Sequence, residues 1–228
     1  MTASKGSGLF NTRNARKPHL GAGPEHAGAL GEISALRSDL KGELSALAGL
    51  VVEEFTNPPT GTVNAIKLAF ATALTAQVFL GAQLDGATGS GVMSPPRNVT
   101  VTAAANVGGY LGSVTIKGMS RGVPQTELVV ITAASTTTSL KAFDQVTEID
   151  IPIQPDALGL ISVGFGVVIG LAKNPLARAG LTESLKEIVD GAVVVTGVLS
   201  ATNGTYTPAA APNGVHDYAV FYEGDFTT

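Results

Sequence analysis

Ile66-Lys67-Leu68-Ala69-Phe70-Ala71-Thr72-Ala73-Leu74-Thr75-Ala76-Gln77-Val78-Phe79-Leu80 is the stretch whose reading decides the fold. It is apolar enough to suggest a membrane span, but it falls short of the roughly 20 residues a bilayer-crossing helix needs. It also alternates. Ile66, Leu68, Phe70, Thr72, Leu74, Ala76, Val78 and Leu80 fall on one parity, and Lys67, the small alanines, Thr75, Gln77 and Phe79 on the other. A period of two with the larger residues on one side reads as β-strand, and no membrane partner is expected.

The same texture continues from Pro59 to the C-terminus. Thr, Val, Ile, Gly and Ala dominate, with turn signals at Asp85-Gly86, Gly89 to Gly91, Pro95-Pro96, Gly108-Gly109 and Asn203-Gly204. The expected strands are Thr62–Thr72, Ala76–Leu84, Asn98–Ala103, Ser113–Gly118, Thr126–Thr132, Val146–Ile153, Ile161–Val168, Ala192–Ser200 and Asp217–Tyr222. One helical interruption is expected over Leu181–Val189, with Thr182 as N-cap and Glu183 and Glu187 exposed. Short strands at such spacing predict a mainly β fold, a jelly-roll-like antiparallel sandwich over residues 60–228.

Two further segments precede it. Residues 1–24 are rich in Gly, Ser and Asn and carry Lys5, Arg13, Arg16 and Lys17 without an acid, which reads as an extended basic arm. The chain's net charge is −4, so this +4 arm precedes a body of −8. Such an arm is suited to an acidic neighbour. Four charges without interleaved aromatics do not point to nucleic acid. Residues 25–59 read as an amphipathic helix and linker, stopped at Asn57-Pro58-Pro59. The helix carries the stripe Ile33, Leu36, Leu40, Leu44, Leu47 and Val51, in steps of three and four. That stripe suits either packing on the chain's own β domain or a parallel bundle at an oligomer axis. Gly42 and Gly49 each weaken the helix by about 1 kcal/mol, so it needs a partner.

Charged residues make up 14% of the 228, against about 25% in ordinary soluble domains. Either the source favours small residues, or much of the surface is covered by partners. Cysteine is absent, which excludes disulfides, thiolate nucleophiles and cysteine metal sites. His19, His26 and His216 have no metal-ligand spacing, so no metal is expected. Glu148 and Asp150 share a strand face and read as a solvated face rather than as a catalytic pair. Gly164-Phe165-Gly166 with Gly170 imitates a dinucleotide loop, but Pro175 comes too early for the helix that would follow. These glycines are expected to serve bulges or close strand packing. No catalytic residue, cofactor or small-molecule substrate is expected, and the chain reads as a non-enzyme.

The succession Arg97-Asn98-Val99-Thr100-Val101-Thr102, Gly112-Ser113-Val114-Thr115-Ile116-Lys117-Gly118, Glu127, Thr136-Thr137-Thr138, Lys141-Ala142-Phe143, Val146 to Ile153, Ser162-Val163-Gly164-Phe165-Gly166 and Gly170-Leu171 resembles β-rich structural proteins of tailed bacteriophages. These are capsid cement (decoration) proteins and related virion components. The segment from Gly204 through Asn213-Gly214 to Tyr218–Tyr222 suits a closing strand of such a domain. The resemblance implies a jelly-roll-like domain, often trimeric, that clamps neighbouring major capsid subunits. It would be made in the host cytoplasm and end on the capsid exterior. In that picture Lys5, Arg13, Arg16 and Lys17 would bind the capsid, and the helix stripe would gather copies. A tail, fibre or adaptor component is the alternative. A carbohydrate-binding sandwich would need aromatic platforms, for which only Tyr110, Tyr206, Tyr218 and Tyr222 are candidates besides phenylalanine, Trp being absent.

Overall fold

In the computed structural model, residues 49–88, 91–176, 186–190, 192–194 and 197–225 are described. The described chain is mainly β, without an α-helix, and its paired strands run antiparallel. The strands are β1 (Gly49–Phe55), β2 (Thr62–Ala71), β3 (Gln77–Leu80), β4 (Val92–Ala103), β5 (Ser113–Ser120), β6 (Val123–Val130), β7 (Thr136–Ile151), β8 (Leu160–Gly170), β9 (Lys186–Val189), β10 (Ala192–Val194), β11 (Val198–Ser200), β12 (Thr205–Thr207) and β13 (Tyr218–Gly224). Nine of them form one curled sheet in the order β11-β12-β8-β4-β7-β5-β6, with β2 beside β8 and β3 beside β7. The other four form a second sheet, β1-β13-β9-β10. Val51–Asp225 is a compact unit.

The long strand β7 organises the large sheet. Its first part pairs with β4, from Thr102↔Thr136 to Val92↔Gln145. Its last part lies between β3, from Gln77↔Ile151 to Leu80↔Glu148, and β5, from Thr115↔Asp150 to Met119↔Gln145. Beyond β5, side chains of β6 take over the pairing. Leu140 and Lys141 donate their N–H groups to the Glu127 carboxylate at 2.6 and 2.9 Å, and the Gln125 side chain donates to the Ala142 carbonyl at 2.9 Å. Strand β6 reaches this position through the two-residue turn Arg121-Gly122, both at positive φ (53° and 75°). That is the backbone a tight hairpin requires.

Inside the curl, Ile66, Val99, Val101, Val114, Ile116, Phe143, Val146, Ile149, Ile151, Ile161 and Val163 are all fully buried. Each such side chain contributes about 1.5–3 kcal/mol relative to exposure. Two glycines set the packing distance. A Cβ on Gly164 would stand 1.7 Å from the Thr62 carbonyl oxygen, and one on Gly118 would stand 2.0 Å from that of Gln145. Gly164-Phe165-Gly166 therefore serves close strand packing inside β8, as the sequence reading expected. A second core joins the two sheets. Ile169, Leu171, Tyr206, Val220 and Tyr222 pack there with Val51, Phe55 and Leu199. At its rim the Ala172 N–H donates to Glu53 (2.9 Å), whose carboxylate also takes the Tyr222 hydroxyl. Burial and then Glu53 push the Tyr222 phenol well above its ordinary value.

Five expectations change, one of them being that the expected strand Ala192–Ser200 is two strands, β10 in the small sheet and β11 in the large one. Gly49–Phe55, assigned to the end of the long helix, is strand β1. Val51 and Phe55 lie four residues apart, a spacing that places them on one face of a helix and equally of a strand. The β-branched pair Val51-Val52 and the neighbouring strand β13 decide for the strand. Within the expected helix Leu181–Val189, Lys186–Val189 is strand β9, held between β13 and β10. Leu181, Thr182 and Glu183 lie outside the described residues, and of Glu187 only the backbone is described. Pro95-Pro96, taken as a break, lies inside β4, where no ladder pair involves residues 93 to 96, so the missing N–H groups cost nothing there.

The fifth change concerns Ile66–Leu80. It is two strands, β2 and β3, as expected, but the larger residues do not share one buried side. Ile66 is buried, whereas Leu68, Leu74, Val78 and Leu80 are about half exposed or more, and Phe79 packs on the core instead. Register shifts in β2 on both sides of Lys67, and the irregular residues 72–76, rotate the pattern. A one-residue slip moves every later side chain to the other face.

Candidate functional site

Lys5, Arg13, Arg16 and Lys17 of the arm, and Ile33, Leu36, Leu40, Leu44 and Leu47 of the stripe, lie outside the described residues. Val51, the last of the stripe, is on β1 and packs into the second core rather than on an oligomer helix. The arrangement that stands out among the described residues is the outer face of β3, β7, β5 and β6.

Directly paired residues on antiparallel strands point to the same side. The registers therefore set two rows across this face. One is Leu80, Glu148, Lys117, Thr126, and the next is Val78, Asp150, Thr115, Leu128. Val130 opposite Ser113 extends the face along β6. At its centre the Lys117 ammonium lies 2.7 Å from Glu148 and 2.8 Å from Asp150. These two hydrogen bonds, that of Asp150 first, hold the Lys117 amine above its ordinary value. Glu148 and Asp150 thus share a face as expected, and a lysine sits between them.

Apolar side chains flank this ion group. Val78 and Leu80 on β3 are 47% and 50% exposed, and Leu128 and Val130 on β6 are 63% and 55% exposed. Both β3 and β6 have a far edge that no strand pairs among the described residues. The result is a sheet face whose polar centre sets one lysine between two carboxylates, leaving one negative charge, with two apolar margins. The strand pattern gave a signal for it, since Lys117 and the two acids occupy alternating positions on strands that pair. The pairing itself, Lys117 with Glu148, was not legible.

Other polar groups were tested for chemistry. Asp190, at positive φ (51°), accepts from the Asp217 N–H at 2.9 Å and lies 2.6 Å from the His216 Nδ1. The backbone donor and then His216 hold its carboxyl below the usual value. Asp217 in turn accepts from the Asn57 N–H at 3.0 Å. This chain of bonds ties the ends of β9, β13 and β1. A hydrolytic triad would need a hydroxyl on the far nitrogen of the imidazole, and no described hydroxyl bonds His216 there. Among the described residues no group of three or more His, Cys, Asp or Glu could hold a metal ion. No described helix is long and apolar enough to cross a membrane. Tyr110, Tyr206, Tyr218 and Tyr222 are all buried, so none offers the stacking platform a sugar-binding module uses.

The chain matches no family model, no curated protein and no solved structure in sequence or structural comparison.

Proposed function

We propose that the protein is a structural virion component, a cement (decoration) protein that bridges and stabilises neighbouring major capsid subunits of a tailed bacteriophage. The observation that carries this reading is the outer face of β3, β7, β5 and β6, where Val78, Leu80, Leu128 and Val130 flank Lys117 held between Glu148 and Asp150. Lys117 is already paired on this face, and the one carboxylate charge left over suits a cationic group of the partner. Apolar margins around it supply the contact energy, at about 25 cal/mol per Å² removed from water. A chain with 14% charged residues has few means to keep so much sheet surface solvated. The basic arm bearing Lys5, Arg13, Arg16 and Lys17 supplies a second contact, to an acidic shell surface. Two contacts on one chain make the later one intramolecular and raise the overall affinity.

The reading carries with it a jelly-roll-like sandwich and a trimer at the contact point between subunits. Strand neighbours that are not consecutive, β4 with β7 and β4 with β8, are crossovers of the kind a Greek-key sandwich uses, and they support the first part. The test is addition of the purified protein to shells that lack it. Bound protein that raises the temperature at which shells disassemble is the expected result. Shells that neither bind it nor gain stability would contradict the proposal.

A further inference from the structure

Strand β4 carries an unusual cation. Pro95 and Pro96 supply no N–H, and the ladder to β8 shifts between Arg97 and Val99. The Arg97 side chain fills the gap. Its Nε donates to the Gly166 carbonyl at 2.9 Å, its Nη2 donates to the same oxygen, and its Nη1 donates to the Pro59 carbonyl at 2.9 Å. The guanidinium carbon lies 5.1 Å from the centre of the Phe165 ring. Three of a guanidinium's five N–H groups are thereby engaged.

What it lacks is an anion. Arg97 is 1% exposed, and no described carboxylate pairs with it. Lys67, the other deeply buried cation of this sheet, shows the contrast. It is 8% exposed and lies 2.8 Å from Asp85, over the rings of Phe70 and Phe79. A buried charge that no opposite charge offsets is unfavourable. Desolvation accordingly lowers the Arg97 pKa to about 10.

A cleft of about 210 Å³ opens beside this group, lined by Arg97, Phe165, Pro59, Thr88, Ser94 and Pro95, with Val92 and Met93. Thr88 already donates its hydroxyl to the Ala65 carbonyl at 2.8 Å, whereas the exposed Ser94 makes no side-chain hydrogen bond among the described residues. Pockets for drug-sized ligands run from about 300 Å³ upward, so this one suits a single side chain or a small acid. We propose that the cleft is a carboxylate site, in which the Ser94 hydroxyl and the charge of the Arg97 guanidinium behind it hold a carboxylate. That carboxylate is either a free small acid or the side chain of an acidic residue presented by a partner protein. The guanidinium stays charged across the working pH range and so supplies the positive charge that a carboxylate needs. The inference does not rest on the virion reading.

Thermal unfolding of the full chain tests it, with acetate and N-acetyl-aspartate amide as probes and chloride at matched ionic strength as the control. The expected result is a saturable rise in Tm of at least about 2 °C with acetate beyond that with chloride. A matching rise with N-acetyl-aspartate amide assigns the site to a presented side chain. A rise with acetate alone assigns it to a free acid. Arg97→Met should abolish the response. Because that variant also loses the bonds to Gly166 and Pro59, Ser94→Leu provides the second test, filling the cleft while leaving Arg97 in place. It should fold and lose the response. A wild-type protein that responds to acetate no more than to chloride overturns the proposal. So does a Ser94→Leu protein that keeps the full response.

Discussion

The two faces of the four strands β3, β7, β5 and β6 are built from similar residue types and meet different fates. On the inner face, Val114, Ile116, Ile149 and Ile151 are fully buried, with Phe79 packed against them. On the outer face, Val78, Leu80, Leu128 and Val130 stand about half exposed or more around Lys117, Glu148 and Asp150. Solvent-facing positions of an antiparallel sheet are usually polar. Apolar residues on both faces fit the proposal that the second face is also a contact surface. The inner face holds the fold together, and the outer one is free to hold something else.

Substitutions that separate the faces sharpen this contrast. Ile149→Ala, on the inner face, should cost about 2–5 kcal/mol, read as a large fall in the denaturant midpoint. Loss of less than 1 kcal/mol would mean that the inner face is not a packed core. The double change Leu128→Asp with Val130→Asp, on the outer face, should move stability by about 0.5 kcal/mol or less per site. The same protein should lose binding to shells by at least tenfold, measured by co-sedimentation. Undiminished binding would remove this face from the contact.

The smallest effect concerns the ion group. Asp150→Asn with Glu148→Gln should return the Lys117 amine to its ordinary titration, read by NMR at alkaline pH. The sign follows from the raised value. The group's contribution is complete below the ordinary lysine pKa of 10.5 and is lost only as pH rises through the higher folded value. Stability near neutral pH should therefore show no dependence on this amine, and the melting temperature of the double variant should barely change. Exposed pairs of this kind contribute little to stability.

Much of the β architecture was legible in the residues. The hairpin of β5 and β6, the C-terminal part of β7, β8 and β13 announced themselves through β-branched runs bounded by turns. The first part of β7 did not, because Thr136-Thr137-Thr138-Ser139 is polar and its partners are the Glu127 and Gln125 side chains as well as strand β4. Strand β1 was hidden by the i, i+4 spacing of Val51 and Phe55, which both periods satisfy. The faces of β2 and β3 were misread because bulges leave no mark in an alternating pattern. Arg97 gave no signal at all. Its partners are backbone carbonyls 69 and 38 residues away in sequence, and a lone arginine in a strand reads as surface.

The central claim is that the protein covers a capsid lattice. Its most direct test is the copy number in purified particles, by quantitative mass spectrometry against the major capsid protein. A ratio near one copy per capsid subunit is the predicted result. A few copies per hundred would place the protein in the tail or a fibre and contradict the cement role, and absence from particles would contradict the virion reading altogether.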